Sequence, residues 1–141
     1  MLNNYFMGIA EQAVESAKTK DITNLDPKWI YSQFCHETNG FTSELQEYNH
    51  NLGGVTQTEP NDTPQPDGLQ FYINFDSFEA YARYFGRYLD GYKDSGVDQA
   101  TTMVEYITAL KESPSGAYFG DSLENYIAGC EYRYAQAFGG K

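Results

Sequence analysis

The chain has 141 residues and a formal net charge of −11. That length bounds it to one domain, residues 1–141, with room for a hydrophobic core. The acidic balance excludes duplex nucleic acid and anionic membranes as partners, because phosphate binding requires a basic footprint.

Aromatic content stands out, with 13 Tyr and 9 Phe. Exposed tyrosines stack on sugar rings, so a carbohydrate groove would account for part of the excess; core packing with polar tips accounts for the rest. The segment Met1-Leu2-Asn3-Asn4-Tyr5-Phe6-Met7-Gly8 has no basic region and no long apolar run. No signal peptide and no membrane insertion are expected from it, so export would use another route. Cys35 and Cys130 both fall on apolar-periodic helical stretches and are expected as buried thiols.

Residues 4–19 read as an amphipathic helix with Ile9, Ala13 and Ala17 on one face. Lys18 to Asp26 is a polar linker. Asp26-Pro27 then predicts a helix start, with Asp as N-cap and Pro at the first helical position. Asn39-Gly40 predicts its end, with Gly in a left-handed C-cap. A short helix with a Ser43–Gln46 capping box follows. Asn49-His50-Asn51-Leu52-Gly53-Gly54 is a turn cluster.

Val55–Thr58 and Leu69–Phe75 alternate like strands, and the Pro-rich stretch between them ends in Asp67-Gly68. Residues 54–75 are therefore expected as a small β-hairpin lobe with an acidic tip. Asp76 and Glu79 predict the start of the next helix, whose stripe Phe78, Tyr81, Ala82, Phe85, Tyr88 and Leu89 reads as core. Asp90 to Gly96 reads as a loop. Asp98 is expected to cap a helix reaching about Lys111, with Val104, Ile107 and Leu110 inward. Asp121 is expected to cap the last helix, through Leu123, Tyr126, Ile127 and Cys130, with residues 135–141 frayed. The fold class is α+β, mainly α: a helical domain and a small β-lobe with a cleft between them, where ligand sites concentrate.

Glu37 is the candidate for chemistry. Trp29, Gln33 and Glu37 are spaced four apart and share a face of the second helix. Glu37 falls in the last turn, where the helix dipole disfavours a negative charge by about 0.3–1 kcal/mol. Cover from Phe34 and Phe41 would add desolvation, which can be the larger effect. A carboxylic acid that stays protonated near neutral pH can protonate a leaving oxygen, as glycoside hydrolysis requires. The bland alternative is a solvated glutamate at a helix end. His36-Glu37 is not a zinc motif, since no second His stands at the four-residue spacing, and His50 adds none, so no metal and no cofactor are expected. Cys35 and His36 cannot act as nucleophile and base, because adjacent helical residues do not face each other.

Several motifs in order carry a resemblance. They are His36-Glu37-Thr38-Asn39-Gly40-Phe41, Asn49-His50-Asn51-Leu52-Gly53-Gly54, Thr58-Glu59, and Phe75-Asp76-Ser77 with Tyr81, Phe85 and Tyr88. The set, from about Trp29 to Tyr126, resembles the peptidoglycan-hydrolysing endo-β-N-acetylglucosaminidases of glycoside hydrolase family 73. The resemblance implies a lysozyme-like fold and cleavage of the bond from N-acetylglucosamine to N-acetylmuramic acid. It implies Glu37 as general acid and Glu59 as the second carboxylate; Asp62 and Asp67 share the Glu59 loop, and all three could instead form a solvated acidic tip. It also implies a functional tyrosine near the last helix, at Tyr118 or Tyr126. Asn49 and Asn51 could bind sugar hydroxyls or acetamido groups, or simply shape the turn. Gly53 and Gly54 would let backbone approach the sugar or start the strand.

The partners implied are glycan strands, with the domain carried by a larger phage or secretion assembly, a phage lysin being one such source. Two other readings compete: a muramidase or lytic transglycosylase, and a non-catalytic glycan-binding module of a phage tail.

Overall fold

A computed structural model describes residues 2–53, 72–113 and 118–139. It contains six α-helices among them: α1 (Asn4–Lys18), α2 (Pro27–Glu37), α3 (Glu44–Asn49), α4 (Phe78–Tyr88), α5 (Met103–Lys111) and α6 (Leu123–Phe138). Two 3-10 segments, Leu89–Ser95 and Val97–Gln99, join α4 to α5. The mainly helical expectation holds. Most of the expected hairpin lobe, residues 54–71, lies outside the described residues; residues 73–75 are non-helical, and no strand occurs among the described residues.

Helix α2 forms the centre. Asp26 caps it by accepting from Lys28 N at 2.9 Å, and Pro27 supplies the pre-set first position. From Trp29 to Cys35 seven consecutive residues are buried, so α2 is enclosed on all sides rather than amphipathic. Helices α1 and α6 pack against it, α4 packs on α1, and α5 on α6. Phe34 joins the layers, its ring edge-on to Tyr81 and Phe85 of α4 at 5.4 and 5.1 Å. The free thiols of Cys35 and Cys130 are both buried.

Helices α1 and α4 approach so closely that Gly86 is required at the crossing. A Cβ there would collide with the Ala13 carbonyl oxygen and lie 2.6 Å from Ser16 Cβ. Ser16 Oγ donates to the Arg83 carbonyl at 2.6 Å across the same contact.

Three helix starts differ from the sequence expectation. Ser77, not Asp76, caps α4, accepting from Ala80 N at 3.0 Å. Ser122, not Asp121, caps α6, accepting from Asn125 N at 3.1 Å. In each pair both residues are good caps, and the register that buries Tyr81 and Phe85, or Tyr126 and Cys130, selects the later one.

Helix α5 starts at Met103 under Thr102, not at Asp98. Asn24 Nδ2 donates to the carbonyls of Val97 and Ala100 at 3.0 and 2.8 Å, which ties this stretch to the α1–α2 linker and holds Ala100 extended. In the resulting register Tyr106, Ile107, Ala109 and Leu110 face inward, and Val104 is exposed. The expected loop from Asp90 is the first 3-10 segment, which buries Leu89 and Tyr92.

The carboxyl-terminal turn, expected to fray, stays helical to Phe138. Gly139 closes it at φ 80°, and the Phe138 ring packs on Tyr31 at 5.5 Å under the Lys28 ammonium.

The α1–α4 contact gives a paired prediction. Gly86→Ala overpacks against backbone and should destabilise by about 2–3 kcal/mol. Gly8→Ala, in α1 with open space at its Cβ, should stabilise by about 0.5–1 kcal/mol. Denaturant unfolding of the two variants measures both.

Candidate active site

Glu37 is the last residue of α2. Thr38 closes the helix: its hydroxyl donates to Phe34 O at 2.7 Å and accepts from Phe41 N at 2.9 Å. Gly40 N–H returns to Cys35 O at 2.8 Å. The turn is tighter than one C-cap glycine. Asn39, Gly40 and Phe41 all adopt positive φ, at 50°, 75° and 65°. For a residue as bulky as Phe this conformation costs about 1–3 kcal/mol. The stacking of Phe41 on Phe6, with centroids 4.1 Å apart, offsets it, and Arg133 Nη2 donates to Asn39 Oδ1 at 3.0 Å. The turn points Phe41 toward α1, so Phe41 is not the expected cover of Glu37.

Tyrosines and a thiol surround the carboxyl instead. Tyr126 of α6 donates its hydroxyl to Glu37 Oε2 at 2.7 Å. Tyr81 of α4, Tyr118, and Cys130 of α6 also lie within electrostatic reach of Glu37. Burial pushes all four of these groups up in pKa, so each stays neutral at physiological pH. The ion pairs among the described residues, Lys18–Glu15 and Lys93–Asp90, lie elsewhere on the surface. Burial raises the Glu37 pKa, and the Tyr126 hydrogen bond, which favours the carboxylate, opposes it without overcoming it.

Tyr126 is held on both sides. Its ring stacks on Phe119 at 3.8 Å and meets the edge of the His36 imidazole at 4.9 Å. His36 turns into the α2–α6 contact, where a Cβ at Gly129 would collide with its ring. Burial lowers the His36 pKa and keeps it neutral.

Tyr118 donates to the Gly53 carbonyl at 2.6 Å. Gly53 is needed there because a Cβ would collide with the hydroxyls of Tyr118 and Tyr81. Its proximity to two phenols explains the glycine without any sugar contact.

The structure thus brings Glu37, Tyr118 and Tyr126 together. Asn49 and Asn51 have no exposed surface. Their amides donate to the carbonyls of Tyr72 and Ile73 at 3.3 and 3.1 Å, and Phe75 N donates to Asn49 O at 2.9 Å. These bonds tether residues 72–75 to the end of α3, and the left-handed turn position is His50, at φ 50°. Glu59 and Gly54, with Asp62 and Asp67, lie outside the described residues. No cluster of metal-ligating side chains occurs among the described residues, and no helix among them is long and apolar enough to cross a membrane.

Sequence reasoning missed Tyr81, Phe119, Gln33 and Tyr106 as parts of this surround. Tyr81 was legible only as core, which it also is. Gln33 carried a signal: a polar residue one turn before Glu37, among apolar neighbours, is fully buried and accepts from the Tyr106 hydroxyl at 2.6 Å.

No family model matches the sequence, and no curated protein matches it significantly. Solved structures do match. The catalytic domain of the autolysin Auto from Listeria monocytogenes superposes with a TM-score of 0.61 at 20% identity, over 94% of this chain and 82% of that one. A chain of a type VI secretion system effector-immunity complex from Pseudomonas protegens superposes with a TM-score of 0.55 at 15% identity, over 92% and 93%. At these identities the likeness is one of fold, and the fold of this chain is that of an autolysin catalytic domain.

Proposed function

We propose that this chain is a peptidoglycan hydrolase that cleaves the β-1,4 bond from N-acetylglucosamine to N-acetylmuramic acid, with Glu37 as general acid. One observation carries the reading: a carboxyl at the end of a buried helix, enclosed by neutral phenols and raised in pKa by burial. The shared fold with an autolysin catalytic domain supports the substrate class, and the ordered motifs support the bond. Neither structural neighbour is a phage lysin, so they give a phage source no support. The site of action would be the bacterial cell wall. Because the chain carries −11 against an anionic polymer, delivery by a larger assembly fits better than free diffusion to the wall.

In this mechanism Glu37 protonates the glycosidic oxygen as the bond to the anomeric carbon breaks. Positive charge then develops on the sugar ring. Glu59 would stabilise that charge or orient the attacking water; a carboxyl separation of about 5–5.5 Å would make it a nucleophile and about 6.5–9.5 Å a base. Tyr126 orients the acid, and Tyr118 shapes the wall beside it. A second reading, a lytic transglycosylase or muramidase, draws on the fact that Glu37 is the one carboxyl in the described site, and a transglycosylase needs only one acid.

Digestion of purified peptidoglycan, followed by borohydride reduction and mass spectrometry, separates these readings. The proposal expects reduced N-acetylglucosamine ends; reduced muramic acid ends or anhydro-muramyl ends would assign the other cut. Glu37→Gln should lower the rate by about 10²–10⁴, and a variant with wild-type clearing would sink the role of this residue.

The same substitution has a stability signature. Glu37 has a folded pKa above its unfolded value, so its contribution is fully present below the unfolded pKa and lost as pH rises through the folded one. Glu37→Gln should therefore melt higher than wild type at neutral pH, with the gap closing toward pH values below an ordinary glutamate. Thermal melts across pH measure it.

Tyr126→Phe removes the bond that favours the carboxylate. The Glu37 pKa should rise further, carrying the alkaline limb of the rate profile to higher pH. A limb that moves down or stays in place would contradict the assignment of Glu37 as the titrating acid.

A further inference from the structure

A cavity of about 220 Å³ lies beside α2, α6 and the turn that follows Glu37. Tyr31 and Cys35 of α2, Gly40 and Phe41 of the turn, and Arg133 and Ala137 of α6 line it. Glu37 is not among its lining residues. Cys35 stands two residues before Glu37, about 200° round the helix, so the cavity and the acid occupy different sides of α2.

The polar groups of this cavity are donors. Arg133 is half-buried, and its Nη2 donates to Asn39 Oδ1 at 3.0 Å. Its Nη1 runs beside Gly40, where a Cβ would stand 3.3 Å from it. The guanidinium also lies 5.5 Å from the centre of the Tyr132 ring. These contacts hold the fork in place and leave most of its N–H groups unused. Among the described residues it meets no other acceptor, and no carboxylate lies within ion-pair distance. Tyr31 is 1% exposed, and its hydroxyl accepts from Asn3 N at 2.8 Å. The hydroxyl's own hydrogen finds no acceptor among the described residues. Burial raises the pKa of the Cys35 thiol, so the sulfur brings no negative charge.

A fixed cation and a buried phenol hydrogen, both short of acceptors, match an oxygen anion. A guanidinium fork fits the paired oxygens of a carboxylate or a phosphate. One positive charge balances a monoanion, which favours carboxylate over the more highly charged phosphate. Phe41 and Ala137 add an apolar side that suits a short aliphatic substituent. A cavity of about 150 Å³ takes a benzene ring, so there is room here for a small acid. We propose that this cavity is a binding site for a small carboxylate, a free acid or the end of a peptide, held by Arg133 and Tyr31. The net charge of −11 gives an anion no long-range attraction, so capture depends on these local donors. The site stands independently of the hydrolase reading.

Nitrogen NMR of the full chain at neutral pH, read at the Gly40 amide and the Arg133 side chain, follows binding directly. The probes are N-acetylalanine as a peptide end in miniature, acetate as a free acid, and phosphate as the competing anion. Saturable shifts with a carboxylate are expected, with phosphate weaker. Acetate binding as well as N-acetylalanine would assign a free acid; N-acetylalanine binding without acetate would assign a peptide end. Arg133→Gln and Tyr31→Phe should each weaken the carboxylate about tenfold or more, and Glu37→Gln should bind as wild type does. Tyr31→Phe keeps the ring, so it decides even where Arg133→Gln fails to fold: unchanged affinity there would overturn the site. Absence of saturable carboxylate binding, tighter binding of phosphate, or binding lost in Glu37→Gln would overturn it as well.

Discussion

The fold is organised around a carboxyl that is taken out of water and, among the described residues, is given no cation. Buried carboxylates are ordinarily paired with Arg or Lys, which lowers their pKa and anchors them. Glu37 has phenols and a thiol around it, and its direct bond among the described residues, from Tyr126, comes from a neutral donor. Such a shell shifts the carboxyl toward its acid form while still fixing the side chain in one place. Fixing matters as much as acidity, because proton transfer requires the donor within hydrogen-bond reach of the leaving oxygen. The shell is assembled from α2, α4 and α6 and the segment before α6, so the helical packing and the acidity of the site are one property.

The surrounding scaffold is rigid where this shell needs support. Gly86 lets α1 and α4 meet closely; Gly129 admits the His36 ring beside Tyr126; Gly53 admits two hydroxyls. In each case the space that a Cβ would occupy is taken by a neighbouring atom. The left-handed run Asn39-Gly40-Phe41 directly after Glu37 is the opposite kind of feature, a local cost borne at the site. Its stability comes from Phe41 leaving the acid and stacking on Phe6. Strain that persists next to a reactive group is a recurrent property of functional sites.

The tyrosine excess also acquires a different meaning. Its number suggested a platform for sugar rings, yet Tyr31, Tyr81 and Tyr106 are fully buried, and Tyr92 and Tyr126 nearly so. Several of these phenols serve to enclose other polar groups. Tyr31 accepts from Asn3 N, Tyr106 donates to Gln33, Tyr118 donates to Gly53 O and Tyr126 donates to Glu37. A phenol supplies bulk like Phe and a single directed hydrogen, which suits a core that must be apolar and still orient an acid. Tyr5 and Tyr132 remain exposed.

What the sequence determined by itself was local. Asp26-Pro27 specified the start of α2, Ser43 the start of α3, and the four-residue spacing placed Trp29, Gln33 and Glu37 on one face. These follow from caps and helical period, which act within a turn or two of the chain. The position of Glu37 at the negative end of a helix was equally legible. The family resemblance pointed to Tyr118 or Tyr126 beside it, but the full cover was not legible, because Tyr81, Tyr118, Tyr126 and Cys130 come from elements 44 to 93 residues away. The start of α5 was misjudged for the same reason: Asn24 fixes it from 73 and 76 residues away. Asn49 and Asn51 looked like ligand groups because a turn rich in Asn has free amides in isolation, and only the return of residues 72–75 engages them. Local propensity chose the helices; the acid's environment was decided by which distant side chains the packing brought against it.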